Sequence, residues 1–294
     1  VLAFLLGSAR SFEMPTTQAL LPNIVPTALF PRAVAASASA MQAATIAAPA
    51  LGGLLYAFGA FWVYVHTAVL YAIACSLVLT LPSRQQPLTQ GKATLESLLA
   101  GIRFIRSRPD IFGAISLDLF AVLLGGATAL LPIFARDILH TGPVGLGLLR
   151  AAPAVGALTM SLALARWPLQ RRVGRRMLAC VAAFGVCMIV FGLSSSFAVS
   201  LLALAVSGAA DNVSVVTRLT LMQLETPDEM RGRVAAVNTI FIGASNQLGE
   251  FESGATAALF GPVGSVVLGG IGTLLVAAAW LRLFPALATR DEMK

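Results

Sequence analysis

The sequence predicts an all-α membrane protein, and three observations carry that prediction. Hydrophobic residues make up 57% of the 294 positions and charged residues 11%, with a mean hydropathy of +0.85. A soluble domain carries about 25% charged residues, so less than half the charge needed for a wetted surface is present. Nine apolar stretches come close to the ~20 residues that cross a bilayer. The basic residues gather in alternate intervals between those stretches, which is how cytoplasmic loops are marked.

The stretches run over 1–21, 34–57, 60–82, 111–135, 143–166, 176–194, 197–222, 234–260 and 262–284. The chain opens on Val1 inside an apolar run with no basic n-region or cleavage site, which reads as a chain cut at its N-terminus. Arg32 marks the first interval. Arg84, Lys92, Arg103, Arg106 and Arg108 fill a long polar one, and Arg171, Arg172, Arg175 and Arg176 follow the fifth stretch. Arg231 and Arg233 follow the seventh, and Arg290 and Lys294 sit in the tail. The turns between are poor in basic residues: Phe58-Gly59, 137–142, 194–196 and Gly261-Pro262. The positive-inside rule therefore places the long polar interval and the C-terminus in the cytoplasm. The formal charge of +7 is too dispersed for a nucleic-acid patch, so no nucleic-acid partner is expected.

The polar interval, Ser83 to Asp110, divides the chain. Inside it Leu95, Leu98, Leu99, Ile102 and Ile105 recur at helical spacing, with Glu96, Arg103 and Arg106 off the stripe. That pattern predicts a short helix lying on a membrane surface, with a plain solvated linker as the other reading. The expected organisation is three membrane helices in 1–82 from an N-terminal six-helix bundle, a cytoplasmic linker over 83–110, and a second six-helix bundle with a short tail over 111–294.

A charge at the bilayer centre costs on the order of 2.5–3.5 kcal/mol and usually faces a bundle interior or a watery cavity. Stretch one carries Arg10 and Glu13, four carries Asp118, five Arg150, seven Asp211 and Arg218, and eight Glu250 and Glu252. Stretches three, six and nine carry no carboxylate, and no Arg or Lys away from their ends. Every third helix is thus expected to face lipid, a rhythm that suits nested three-helix transporter repeats.

Arg10 and Glu13 stand three apart and can pair on one helix face, either as a fixed pair or as one that substrate or a proton opens. Asp211 has no opposite charge within a helical turn, Arg218 being two turns on. A carboxylate buried without a cation favours its protonated form, the property of a proton carrier; pairing with Arg10 or Arg150 across helices is the competing reading. Stretch eight bears a broad polar stripe, with Asn246, Glu250 and Ser253 sharing one face. Asp118 is a further proton or substrate candidate. Arg150, Arg218 and His66 read first as structural or snorkelling groups.

Thr226-Pro227-Asp228-Glu229 has the form of a helix start, with Thr226 as N-cap and Glu229 closing a capping box. Cys75, Cys180 and Cys187 fall inside apolar runs without disulfide or metal-ligand spacing. The sequence holds no nucleophile elbow, no H-E-x-x-H and no Walker-type glycine loop. No enzyme activity, metal or cofactor is expected, and ATP drive would need a separate subunit.

Three stretches bear a resemblance. Residues 42–53, QAATIAAPALGG, resemble the antiporter signature G-x-x-x-G-P-x-x-G-G in the fifth helix of major facilitator exporters, with Ala44 and Ala48 in two glycine positions ahead of Pro49, Gly52 and Gly53. Residues 7–22, GSARSFEMPTTQALLP, and 223–235, QLETPDEMRGRVA, are similar to stretches of the enterobactin-exporter-like branch, Glu13 standing where Asp is more usual. Arg172-Val173-Gly174-Arg175-Arg176 looks like the end of the loop motif D-R-x-G-R-R, with Arg171 in place of its acid. The electrostatic latch that acid makes is therefore missing or supplied elsewhere. Asp228, Arg231, Gly232 and Arg233 match the loop before the eleventh helix, and Arg172, Gly174 and Arg175 the loop after the eighth; both imply cytoplasmic gates.

The resemblance covers essentially the whole chain and implies the major facilitator fold, helices four to twelve. It also implies a monomer in the inner membrane that exports a small organic molecule in exchange for protons. Import, uniport, and a non-transporting receptor or assembly protein remain the alternatives. A cationic substrate would suit Asp118, Asp211 and Glu250, and an anionic one would need Arg10 or Arg150. Without the preceding helices this stretch alone is expected not to transport.

Overall fold

The computed structural model describes residues 29–80, 95–167 and 171–291, with Gly7 and Val25 alone ahead of them. Every regular element among them is helical: α1 (Phe30–Ala57), α2 (Ala60–Leu79), α3 (Leu95–Ser107), α4 (Pro109–Gly125), α5 (Leu131–Ile133), α6 (Gly142–Arg166), α7 (Val173–Leu193), α8 (Phe197–Glu225), α9 (Asp228–Leu283) and α10 (Pro285–Thr289). Six runs among the described residues are long and apolar enough to cross a membrane. The last of them has 55 residues, which at 1.5 Å per residue is roughly 80 Å, more than twice the ~30 Å of hydrocarbon. It bends at Gly261, whose φ of 75° and ψ of 164° are open to glycine, and Pro262 restarts the helix. Two passes are thus joined by one residue, at the Gly261-Pro262 turn expected from sequence. The first apolar stretch, with Arg10 and Glu13, lies outside the described residues.

The chain forms two compact units, Val1–Thr45 with Phe58–Lys92, and Ile46–Ala57 with Ala93–Lys294. In the first, α2 buries no side chain. In the second, α6 packs along α8, α7 lies against α8 and α9, and α4 lies against α9. Lipid tails are as apolar as leucine, so the association of such helices rests on close packing rather than on escape from water. The sequence provides for this. A Cβ on Gly156 would run into the Ala205 carbonyl, and one on Gly208 into the Pro153 carbonyl, so α6 and α8 touch backbone to backbone. Larger side chains fill the two ends of the bundle. At one, Phe134 stacks on Phe191 with centroids 4.6 Å apart, beside Leu149 and Leu204. At the other, Leu117, Met177, Leu221 and Trp280 meet, and the Trp280 indole donates to the Gly113 carbonyl at 3.0 Å.

The fourth apolar stretch is expected as one helix and is broken instead. α4 ends at Gly125, Gly126 adopts φ −75° and ψ 79°, and a 3-10 turn (Ala127–Leu130) leads through α5 into a π-helical turn (Phe134–Ile138). Pro132 has no N–H to give the Thr128 carbonyl, and Leu131 donates to that carbonyl in 3-10 geometry. Ser253 Oγ donates to the freed Gly126 carbonyl at 2.8 Å. Irregular backbone at membrane depth is tolerated where protein or a cavity lines it, and here both do.

One local expectation is narrowed and one corrected. α3 does form, and the C-terminal part of its apolar side packs against protein, while Leu99 is 52% exposed. Ile105 is 3% exposed and packs with Ile111, Ile115, Met222, Val234 and Val237, with Ile102 and Phe104 alongside. Ile102 and Ile105 meet Val234, Val237 and Phe241 on the first half of α9, which a sequence window cannot see. The capping box at Thr226 is not made. Pro227, with ψ 147°, is the N-cap of α9 and no side chain caps the helix, so it starts at Asp228. The residue before a proline is driven to extended backbone, and Thr226, with φ −98° and ψ 121°, ends α8 instead. Its buried hydroxyl has no hydrogen-bond partner.

Candidate functional site

α8 carries the polar face on which the site is built. Ser207, Asp211, Ser214 and Arg218 follow at helical intervals, so they share one stripe of the helix. The upper part of that stripe opens into a cavity of about 240 Å³. Asp211, Ser207 and Gly208 line it from α8, Val122, Gly126 and Thr128 from α4 and its break, and Pro153 from α6. Phe184 and Met188 come from α7, and Asn246 and Glu250 from α9. The cavity therefore holds two carboxylates and a carboxamide and is lined by no basic residue. The break at Gly126 turns backbone towards the same space.

Among the described residues no hydrogen bond or ion pair reaches Asp211 or Glu250. The charged groups acting on Asp211 are Asp118 and Arg218. Asn212, the next residue on α8, donates to Ser161 Oγ on α6 at 3.0 Å and so ties the two helices beside the cavity.

The lower part of the stripe is closed by an ion pair. Arg218 Nη1 lies 2.7 Å from Asp118 Oδ2, and the same nitrogen donates to Asn238 Oδ1 at 3.3 Å. All three residues are buried, Arg218 being 2% exposed. Arg218 Nε and the hydroxyls of Ser214 and Thr217 are buried without a partner. Below the pair, Met222, Gln223, Thr226, Arg231, Asn238 and Thr239 line a groove of about 610 Å³ between the end of α8 and the start of α9.

Of the residues singled out from sequence, Asp211, Asn246 and Glu250 thus come together in one cavity. Asp118 is brought instead to Arg218, which is buried and paired rather than snorkelling. Arg150 is exposed on α6 and makes no pair with Asp211. Arg10 and Glu13 lie outside the described residues. The Asp118–Arg218 pair was missed because its partners are 100 positions apart and no local spacing joins them. Ser207 and Ser214 could have been found by extending the helical stripe of Asp211 in both directions.

In the antiporter-like stretch on α1, Gly53 is the position of close approach. A Cβ there would stand 2.9 Å from Gly147 Cα on α6, and one on Gly147 would meet the Pro49 carbonyl at 2.5 Å. Gly52 has open space, and Ala44 and Ala48 are exposed.

The loop residues separate similarly. Arg172 is the N-cap of α7 with φ 54° and ψ 42°, Arg175 is exposed, and Gly174 is buried. The Gly174 N–H donates to the Arg290 carbonyl at 3.2 Å, and a Cβ on it would collide with the Leu287 carbonyl. Arg290 in turn reaches Asp110 at 2.7 Å and also pairs with Glu225. The starts of α4 and α7, the end of α8 and the tail are therefore fastened by Arg290. Asp228 opens α9, Arg231 lines the groove, Gly232 faces open space, and Arg233 lies 3.6 Å from Met230 Sδ.

Known proteins with related sequences fit this arrangement. The chain is 28% identical over 271 residues to the enterobactin exporter EntS of Citrobacter koseri, covering 92% of this chain and 65% of that protein. It is 27% identical, over the same shares, to the enterobactin exporter EntS of Escherichia coli O81. The chain thus spans about two thirds of the length of these relatives. The solved nucleoside transporter NupG shares the fold at a TM-score of 0.63 and 20% identity, covering 83% of this chain and 65% of that one. Residues 1–250 match the Major Facilitator Superfamily as a whole. The chain is a multi-pass membrane protein and belongs to the Major Facilitator Superfamily.

Proposed function

We propose that this transporter exports a small organic molecule across the inner membrane in exchange for protons. The observation that carries the reading is the cavity in which Asp211, Asn246 and Glu250 converge with no cation lining it. A carboxylate held among apolar groups without a salt bridge can take up and release a proton, whereas a paired one is held charged. Asn246 and Glu250 supply hydrogen-bonding groups for a polar or cationic part of a substrate. The similarity to exporters of enterobactin favours the outward direction and a secreted metabolite as cargo, with lipophilic cations as the other class the acids suit. The arginines at the ends of α6 and α8 support a cytoplasmic position for those ends and for the C-terminus. Alternating access would then expose the site to each side in turn.

The test is a pH-gradient assay in inverted vesicles with an acid interior, using the full-length gene product. Catecholate siderophores or lipophilic cations are added, and the gradient is followed optically. Substrate-dependent collapse that is lost in Asp211→Asn establishes proton antiport through this residue. A labelled compound that moves while the gradient stays intact refutes proton coupling and leaves a facilitator.

A further inference from the structure

We propose that protons leave Asp211 for the Asn238 groove through the interior of this one bundle, and that the Arg218–Asp118 pair is the gate on that route. The proposal rests on the proton-coupled reading of the cavity and names the path by which the proton leaves it.

The cavity and the groove lie above and below the same ion pair. Asp211 lines the first, Asn238 lines the second, and Arg218 bonds to Asn238 while pairing with Asp118. Between Asp211 and Arg218 the stripe of α8 holds Ser214, whose hydroxyl is 1% exposed as a residue and has no partner. Arg218 Nε, on the same stripe, is likewise buried and unpartnered. Thr226 repeats the pattern at the groove. Native interiors rarely leave such groups unsatisfied, and buried polar atoms of this kind are met by water. Side chains on a helix lean towards its N-terminus, which inclines Arg218 towards Ser214 and Asp211. Orphaned donors and acceptors are thus strung between two cavities, which suits a short file of water.

The charge on Arg218 sets when that file conducts. A fixed guanidinium excludes hydronium from a narrow polar passage. A proton released by the Asp211 carboxyl passes by water to the Asp118 carboxylate, forming its O–H and breaking the ion pair. Arg218 is then free to swing off the path, and Asp118 gives the proton to water in the groove, which restores the carboxylate and the pair. The groups facing this exchange are Asp118 from α4, Arg218 on α8 itself, Glu250 from α9 across the cavity, and Arg231 from α9 at the groove. α6 and α7 present only Pro153, Phe184 and Met188 there.

The test reads water access without substrate or gradient, so it fails separately from antiport. In the full-length protein, with every native cysteine, Cys75, Cys180 and Cys187 among them, changed to Ala, Ser214→Cys is exposed to a small hydrophilic methanethiosulfonate. A closed gate predicts slow labelling that rises at least about tenfold with Asp118→Asn, as loss of a buried charge partner gives, and stays slow with Asp118→Glu. No labelling in either background means that no water file exists. Equal labelling in both means that the pair is no gate, and either result overturns the proposal. Ala203→Cys, in the packed core, reports loss of fold. Should that thiol react in Asp118→Asn, Asn238→Leu decides instead. It removes the second anchor of Arg218 and must speed labelling, and an unchanged rate overturns the gate. A protein that passes this test and leaves the pH gradient untouched keeps the path and loses the antiport reading.

Discussion

Arg218 and Asp118 meet at 2.7 Å in the interior of the bundle, with 3% and 7% of their side chains exposed. Such a pair recovers its desolvation cost only when both partners are present. Removing one partner, as in Asp118→Ala, should therefore lower unfolding stability by about 3–5 kcal/mol. Replacing both by apolar residues of similar volume should recover most of that loss. Thermal denaturation of the purified protein in detergent, run as a double-mutant cycle, checks this.

The glycines of the antiporter-like stretch should respond in opposite directions. Gly53→Ala forces α1 away from Gly147 and should cost about 1–3 kcal/mol, the usual range for overpacking. Gly52→Ala meets nothing within 4 Å and should be neutral or stabilising by up to about 1 kcal/mol, the helix propensity gained. Melting temperatures of the two variants side by side read the difference.

The docking of α3 predicts another contrast. Ile105→Glu places a charge in a packed cluster and should destabilise the protein by several kcal/mol, roughly the 2–5 of a lost large side chain plus the cost of desolvation. Leu99→Glu, at a position 52% exposed, should change stability by less than about 0.5 kcal/mol. Limited proteolysis in the 83–94 segment gives a second readout, accelerated only by the first variant.

Arg290→Ala removes the link between Asp110 and Glu225. The expected loss is about 1–2 kcal/mol, because both pairs are partly solvated. Salt should narrow the gap between variant and parent, since screening weakens the pairs in the parent alone. Melting curves at low and high ionic strength measure it.

For transport, the sign of the pH effect follows from mass action. If protons enter as cargo leaves, acidifying the exterior should speed export and alkalinising it should slow export. Asp211→Asn, which neither binds nor releases a proton, should abolish that dependence while substrate binding persists. Transport against pH in vesicles of parent and variant is the measurement.

The helical membrane character, and the turn at Gly261, were legible because each rests on local pattern: apolar run length, charge in the intervals, a glycine ahead of a proline. The convergence of Asp211, Asn246 and Glu250 was half legible. Each stood out as a polar group in an apolar run, but their meeting depends on how α8 and α9 face one another. The Asp118–Arg218 pair was not legible at all, since its partners lie on separate helices. The Thr226 cap failed for a different reason. The local motif was correct in composition, but Pro227 keeps a non-helical ψ of 147°, so the helix starts one residue later and Thr226 is not its cap. No motif announces the tail arginine, Arg290, that reaches Asp110 and Glu225.

The single-residue bend at Gly261 leaves almost no chain projecting beyond the bilayer on that side, and the three residues Ser194–Ser196 between α7 and α8 add little more. An epitope tag placed at Gly261 would have to unwind helix before it could be displayed.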